Sequence, residues 1–251
     1  MIETVHSEWI KLRTVRVHLV MSIIAVAFPL IIIALVTSLS SLASGFGDRN
    51  FVELVTGVSV VAALLLGTVS AISLTGEYSH GTIRPTFAAT PSHARVFAAK
   101  VIVNSVATAV VVSLLLVGGW ALGATVLSGR GAPVGLAWAN GTIGSMISMM
   151  VLAVLISWFA LGIGLVLRNA PATVTLLLVW PLLVENLLAG VGFLVGVDWL
   201  GRWMPYSAAL VAVPPTPDGD ALGRPVAFVW FGAVSLGLIG VGALLDRRRD
   251  A

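Results

Sequence analysis

The chain is 251 residues long, 58% apolar and only 10% charged, with a mean hydropathy of +1.05 and a formal charge of +3. A water-soluble domain carries about 25% charged residues, so this composition excludes an ordinary globular enzyme, a disordered chain and a DNA-binding module. Cysteine is absent, which removes disulfides, thiol redox chemistry and Cys-ligated zinc.

Residues 2–16 read as an amphipathic helix. Ile2, Val5, Trp9 and Leu12 recur at helical spacing, and Glu3, Ser7, Glu8, Lys11 and Thr14 fall on other faces. Such a helix lies in a membrane interface, with Trp9 at headgroup level and Lys11 and Arg13 near anionic lipid. Six apolar stretches follow, at about 18–38, 51–75, 96–127, 138–167, 172–195 and 226–245. Each meets the roughly 20 residues that a bilayer crossing requires. The third and fourth exceed a simple crossing, so tilt or projection from the membrane is expected. The runs are continuous rather than alternating, which favours helices over a barrel. Ser41-Leu42-Ala43 offers a small-x-small site, but the run before it is too long for a signal peptide, and the first span reads as retained.

Arginine and lysine are distributed asymmetrically. With the N-terminus inside, the inner segments hold Lys11, Arg13, Arg16, Arg84, Arg95, Lys100, Arg168, Arg247, Arg248 and Arg249, against Arg49, Arg130, Arg202 and Arg224 outside. The positive-inside rule therefore predicts cytoplasmic termini.

The segment 76–95, between the second and third spans, is the most informative. A two-residue connection would suffice there, yet about 20 residues are present, Gly-Glu-Tyr-Ser-His-Gly-Thr-Ile-Arg-Pro-Thr-Phe-Ala-Ala-Thr-Pro-Ser-His-Ala-Arg. Glu77 and Arg84 are placed two turns apart on one helical face, with His80 and Gly81 between them. Pro85 predicts a bend, and Thr90-Pro91 predicts a new helix with Thr90 as N-cap. Ile83 and Phe87 form an apolar knob suited to another protein's cleft.

Farther along, Glu185 and Asn186 stand inside the fifth span, just after Pro181, which predicts a kink and a freed carbonyl. A buried acid there reads either as a polar point on a translocation path or as a satisfied group, protonated or paired with Arg202, that fixes the outer segment. Asn104 reads as an interhelical hydrogen bond. Gly119-x-x-x-Gly123 and Gly192-x-x-x-Gly196 read as helix packing. The outer segment 196–225 is interrupted by prolines. Trp199, Trp203 and Tyr206 suggest interface aromatics on short helices dipping into the outer leaflet, followed by an exposed turn at 214–220.

Catalytic patterns are missing from the sequence. There is no Gly-x-x-x-x-Gly-Lys-Ser/Thr phosphate loop, no His-Glu-x-x-His and no Gly-x-Ser-x-Gly elbow. The histidines His6, His18, His80 and His93 lack ligand spacing. An energised function would need a partner that hydrolyses nucleotide.

The run from Gly76 to Arg84, with Ala-Ala-Thr-Pro-Ser and Lys100 after it, resembles the first cytoplasmic loop of type-2 ATP-binding-cassette (ABC) transporter permeases. Ser7-Glu-Trp-Ile-Lys-Leu-Arg13 resembles their opening helix, and Trp203-Met-Pro-Tyr-Ser207 the stretch before their last span. The resemblance implies an all-α membrane protein in one permease domain, residues 1–251. It would have six transmembrane helices, an interfacial helix at 1–16, a coupling loop at 76–95 and re-entrant outer helices at 196–225. It further implies that Glu77, Tyr78, His80, Gly81, Thr82 and Arg84, with Pro85 to Ala88 as the docking turn including Phe87, contact a separate ATPase subunit. His80 stands where the family pattern favours Arg, so an ion pair with Glu77 would be partial near neutral pH. ATP and Mg would sit on the partner ATPase and this chain would bind no cofactor. The partners implied are two ATPase copies, a second permease copy (identical or related) and membrane lipid, with no nucleic acid. The setting is a bacterial plasma membrane and the role is an exporter of a hydrophobic or amphipathic substrate. An ion-gradient-driven transporter, a membrane enzyme and a non-transporting anchor are the alternatives.

Overall fold

Backbone amides cannot remain unpaired in hydrocarbon, so long apolar runs with few breakers close their hydrogen bonds internally as helices. The computed structural model describes residues 1–40, 48–90, 92–132, 134, 141–197, 199–215 and 222–249. Among these residues the secondary structure is helical: α1 (Ile2–Thr14), α2 (Arg16–Leu39), α3 (Asp48–Ser79), α4 (Ile83–Ala89), α5 (His93–Gly129), α6 (Thr142–Leu167), α7 (Ala170–Val179), a π-turn (Trp180–Val184), α8 (Glu185–Leu194), α9 (Trp199–Arg202), α10 (Pro205–Val211) and α11 (Arg224–Arg249). Six helical segments are long and apolar enough to cross a membrane, α7 to α8 acting as one. They coincide with the six stretches read from the sequence.

The boundaries differ from that reading in informative ways. The longest helices are α3 and α5, the second and third spans, at 32 and 37 residues, whereas the fourth, α6, has 26. α3 runs through Glu77 and Tyr78 to Ser79, and α5 begins at His93. Their polar ends remain helical because other elements supply buried partners, as set out below. The fourth span starts at Thr142; Trp138 lies outside the described residues, as do Leu42, Ala43 and most of the 214–220 turn.

Helices α3 and α6 form the centre, with α6 packed most extensively against α3 and α11. A Cβ at Gly162 would stand 2.7 Å from the Leu238 Cβ, so a small residue is required where α6 meets α11. Gly119 lets α5 approach α2, where a Cβ would stand 2.8 Å from the movable Ile33 Cδ1, in keeping with the packing role read for its motif. Leu152, Ile156 and Phe159 of α6 meet Phe231 of α11 and Leu115 of α5 in one apolar cluster. Asn104 bridges helices as read: its amide donates to Ser73 Oγ on α3 at 3.3 Å.

Pro181 interrupts the fifth span. It lacks an N–H and crowds the carbonyl four residues earlier, and the wider π-turn at Trp180–Val184 accommodates both effects. Glu185 follows immediately. Its fully buried carboxylate accepts hydrogen bonds from Trp180 Nε1 (3.0 Å), the backbone amides of Tyr206 (3.1 Å) and Ser207 (2.7 Å), and Ser207 Oγ (2.8 Å). The acid therefore caps the first turn of α10. At the other end of α10, Arg224 donates to the carbonyls of Ala212, Pro214 and Pro215. A carboxylate at the N-terminus and a guanidinium at the C-terminal end both complement the helix dipole. Glu185 fixes the outer segment, as one of the two readings held, and it does so through amides. Asn186 is exposed and bonds the carbonyl of Leu182 in its own helix. Trp199 and Trp203 are exposed. Tyr206 differs: it is 4% exposed and packs edge-on to Phe231, because capping by Glu185 turns this part of α10 inward.

Candidate functional site

The ends of α3 and α5 meet α1 and α4 at one end of the bundle, and the end of α11 joins them there. Glu8 and Lys11 lie one turn apart on α1, so they share a face. That face points into the protein: Glu8 is 6% exposed. Lys100, 2% exposed on α5, donates to Glu8 Oε2 at 2.5 Å, to Glu77 Oε1 at 2.9 Å and to the Ser73 carbonyl at 3.3 Å. Lys11 donates to Glu8 Oε1 at 2.7 Å, to Glu77 Oε1 at 2.9 Å and to Thr86 Oγ1 of α4 at 3.4 Å. Two acids and two bases from three helices thus form a closed, charge-balanced cluster. Burial alone lowers the pKa of Lys11, but its hydrogen bonds and charge interactions with Glu8 and Glu77 outweigh that and hold it above the usual 10.5.

This arrangement corrects three expectations. The spacing sets Glu8 and Lys11 off the apolar face of the first helix, with Lys11 near anionic lipid, whereas both bond partners inside the protein. The apolar-spacing rule could not register that their partners arrive from α3 and α5. Glu77 pairs with two lysines, whereas the His80 imidazole bonds the Gly76 carbonyl at 2.8 Å, in place of the partial ion pair with Glu77 that the resemblance allowed. Trp9 is 36% exposed and Arg13 is exposed.

The loop bends earlier than Pro85. Gly81 has φ of +69°, a left-handed conformation that favours glycine, and it ends the chain's run out of α3. Glu77 and Arg84 are consequently on different helices. Pro85 is the third residue of α4, where a missing N–H costs little because first-turn amides have no helical acceptor. α5 takes Ser92 as its N-cap residue instead of Thr90; Pro91 lies outside the described residues. The apolar knob is also turned around. Ile83 is 8% exposed, and the half-buried Phe87 stacks on His93 with ring centroids 3.6 Å apart and meets Phe97 edge-on at 6.1 Å. Packing against the cluster of Leu74, Phe97, Leu161 and Leu165 offers Phe87 more than water does. The outward face of the loop carries Gly81, Thr82, Arg84, Pro85 and Ala88.

A second polar cluster stands behind Phe87. Asp246, fully buried near the end of α11, accepts from Tyr78 Oη at 2.6 Å, pairs with His93 Nδ1 at 2.9 Å and forms an ion pair with Arg168. The Arg168 guanidinium also lies 4.8 Å over the Tyr78 ring. Arg168 caps α6 in a left-handed conformation (φ +50°), and Asn169 caps α7 by accepting from the Ala172 amide at 2.9 Å. A two-residue turn therefore delivers the guanidinium to Asp246. Adjacent residues of α3, Glu77 and Tyr78, enter different clusters, and α4 touches one through Thr86 and the other through Phe87. The sequence singles out Glu77, Tyr78 and Lys11 for other contacts, and nothing in it marks Glu8, Lys100 and Asp246 as their partners. Their signal was charge at the edge of an apolar run, easily taken for a topological flank.

These contacts join the surface helix α4 to side chains of α1, α3, α5, α6 and α11. A family model described as ABC-2 family transporter protein matches residues 4–182, a stretch that includes most of α1, all of α4 and both Glu77 and Lys100. No curated protein matches the chain.

Proposed function

Since the chain belongs to the ABC-2 family of transporter proteins, and is thus a multi-pass membrane component of an ABC transporter associated with an ABC ATPase, we propose that α4 is the coupling helix on which that ATPase docks. The α4 end then faces the cytoplasm, with both termini. Arg84, Pro85 and Ala88 form the contact face, and Glu77, Tyr78, His80, Gly81, Thr82, Ile83 and Phe87 set its position. The observation that carries this reading is the double anchorage of α4. Lys11–Thr86 links it to the Glu8–Lys11–Glu77–Lys100 cluster, and Phe87–His93 links it to Asp246. Closure of the ATPase pair would push α4, and the push would enter α1, α3 and α5 through one cluster and α6 and α11 through the other.

In this reading two permease chains, identical or related, enclose the path and two ATPase subunits bind ATP and Mg below them. The cargo is a hydrophobic or amphipathic molecule exported across a bacterial plasma membrane, α1 rests in the interface, and α9 and α10 are re-entrant. Glu185 serves as a structural cap, and a role on the path for Glu185 and Asn186 is secondary to it.

The absence of cysteine makes the test direct. A single Arg84→Cys variant, labelled with a membrane-impermeant maleimide, is expected to react in inside-out vesicles and not in right-side-out ones. Arg84→Glu combined with Ala88→Asp is expected to abolish co-purification with the ATPase encoded beside this gene, and transport-linked ATP hydrolysis, at unchanged thermal stability. Retained association and coupling in that double variant would refute the docking role.

A further inference from the structure

Between α1, α2, α4 and the facing ends of α3 and α5 lies a cavity of about 550 Å³, within the size range of small-molecule sites. Its lining combines apolar side chains, Leu12, Val15, Ile72 and Val103, with polar ones that include Glu77 and His18. Both polar residues are more than nine-tenths buried, and each has an atom, Glu77 Oε2 and His18 Nδ1, without a hydrogen-bond partner in the chain. Buried polar atoms are seldom left so.

The donor count decides what such a site can take. An ammonium has three N–H donors. Lys11 makes hydrogen bonds to Glu8, Glu77 and Thr86, and Lys100 to Glu8, Glu77 and Ser73. Both are saturated, and the Asn104 amide nitrogen is engaged by Ser73 and the Lys100 carbonyl. The cavity therefore presents no spare ammonium to an anion. Its lining residues Glu77 and His18 hold, just behind the cavity surface, a carboxylate oxygen, which only accepts, and an imidazole nitrogen, which accepts or donates. The two acids and two lysines balance, so a cationic donor meets no net opposing charge.

We infer that this cavity binds an amphiphile with a primary ammonium head, the N–H groups directed to Glu77 Oε2 and His18 Nδ1 and the apolar body along Leu12, Ile72 and Val103. The same chemistry has two sources, phosphatidylethanolamine of the adjoining leaflet and an amphipathic amine from the aqueous side. The inference rests on the proposed function only for which leaflet adjoins the cavity. Ligand preference is measured without the ATPase, and the Arg84→Cys labelling reports the leaflet separately, so the two can fail independently.

The full chain, purified in detergent, would be titrated with dioleoyl phosphatidylethanolamine and with its choline counterpart, whose quaternary head has no N–H. Dodecylamine and dodecyltrimethylammonium form the second pair. Binding is read by native mass spectrometry and by the shift in thermal midpoint. The primary amine of each pair is expected to bind at least about tenfold tighter, the worth of one charge-assisted hydrogen bond to a buried carboxylate. Ile72→Trp fills the space beside the apolar side chains and leaves all four cluster charges in place, and it is expected to abolish the preference while the helical content is kept. His18→Ala is expected to reduce it. Phosphatidylethanolamine retained through purification by the wild-type chain but not by Ile72→Trp assigns the bilayer as the source. A preference confined to the dodecylamine pair assigns the aqueous side, and either result supports the head chemistry. Equal binding of both members of each pair, or a preference that survives Ile72→Trp, would overturn the inference and leave the cavity to water.

Discussion

Replacing Lys100 by Met tests the ionic cluster most sharply. Lys100 is 2% exposed and holds two carboxylates and a carbonyl. Methionine matches its length and keeps its apolar contacts, so the change isolates the charge. Its removal takes from Glu8 Oε2 its hydrogen bond and leaves two carboxylates, 6% and 10% exposed as side chains, facing one lysine. Breaking a buried pair from one side costs about 3–5 kcal/mol, because the remaining charge stays buried. Lys11 makes equally short contacts, yet its side chain is 38% exposed and Lys100 continues to serve both acids after its loss. Solvent screening reduces that cost to about 1 kcal/mol for Lys11→Met. The double variant Glu8→Gln with Lys100→Met restores balance and should recover at least about 2 kcal/mol of the single-variant loss. Unfolding in mixed micelles on SDS titration, followed by far-UV circular dichroism, gives these differences. Equal losses for Lys100→Met and Lys11→Met, or no recovery in the double variant, would refute the account of the cluster as a closed, balanced unit.

Three further outcomes follow from the geometry. Asp246→Asn should cost about 3 kcal/mol by leaving Arg168 without its carboxylate, whereas Tyr78→Phe should cost about 1 kcal/mol; the same titration ranks them. Glu185→Gln should destabilise α10 by about 1–3 kcal/mol because an amide cannot serve all four donors. Hydrogen exchange at the Tyr206 and Ser207 amides should rise while α6 is unaffected. Gly81→Ala should lose about 1 kcal/mol and Gly81→Asn less, since Asn tolerates a left-handed φ better; thermal midpoints of the two variants compare them.

The Lys11 shift also sets a pH window. A lysine whose folded pKa is raised contributes stability that is fully present below its unfolded value and is lost as pH rises through the folded value. The α1 attachment is therefore expected to hold up to about pH 10 and to loosen above the usual lysine range, which trypsin accessibility at Arg13 would report.

Length and apolar continuity were enough to place all six spans, because a bilayer crossing imposes a minimum run that few other structures require. The excess length of the 76–95 loop and the Gly-Glu-Tyr-Ser-His-Gly-Thr motif likewise marked where α4 would be. Proline at 181 announced an irregular turn. These features are local, and local chemistry suffices to set them. Which face of α1 turned inward, where Ile83 and Phe87 packed, and what held Glu185 were decided by partners distant in sequence. Lys11 reaches Glu77 across 66 positions, Lys100 reaches Glu8 across 92, and Tyr78 reaches Asp246 across 168. A charged residue beside an apolar run has the same spacing whether it faces water, lipid headgroups or a buried counter-charge. Only the packing of the helices brings the counter-charge within hydrogen-bond distance, and desolvation then turns a flank residue into a fixed joint.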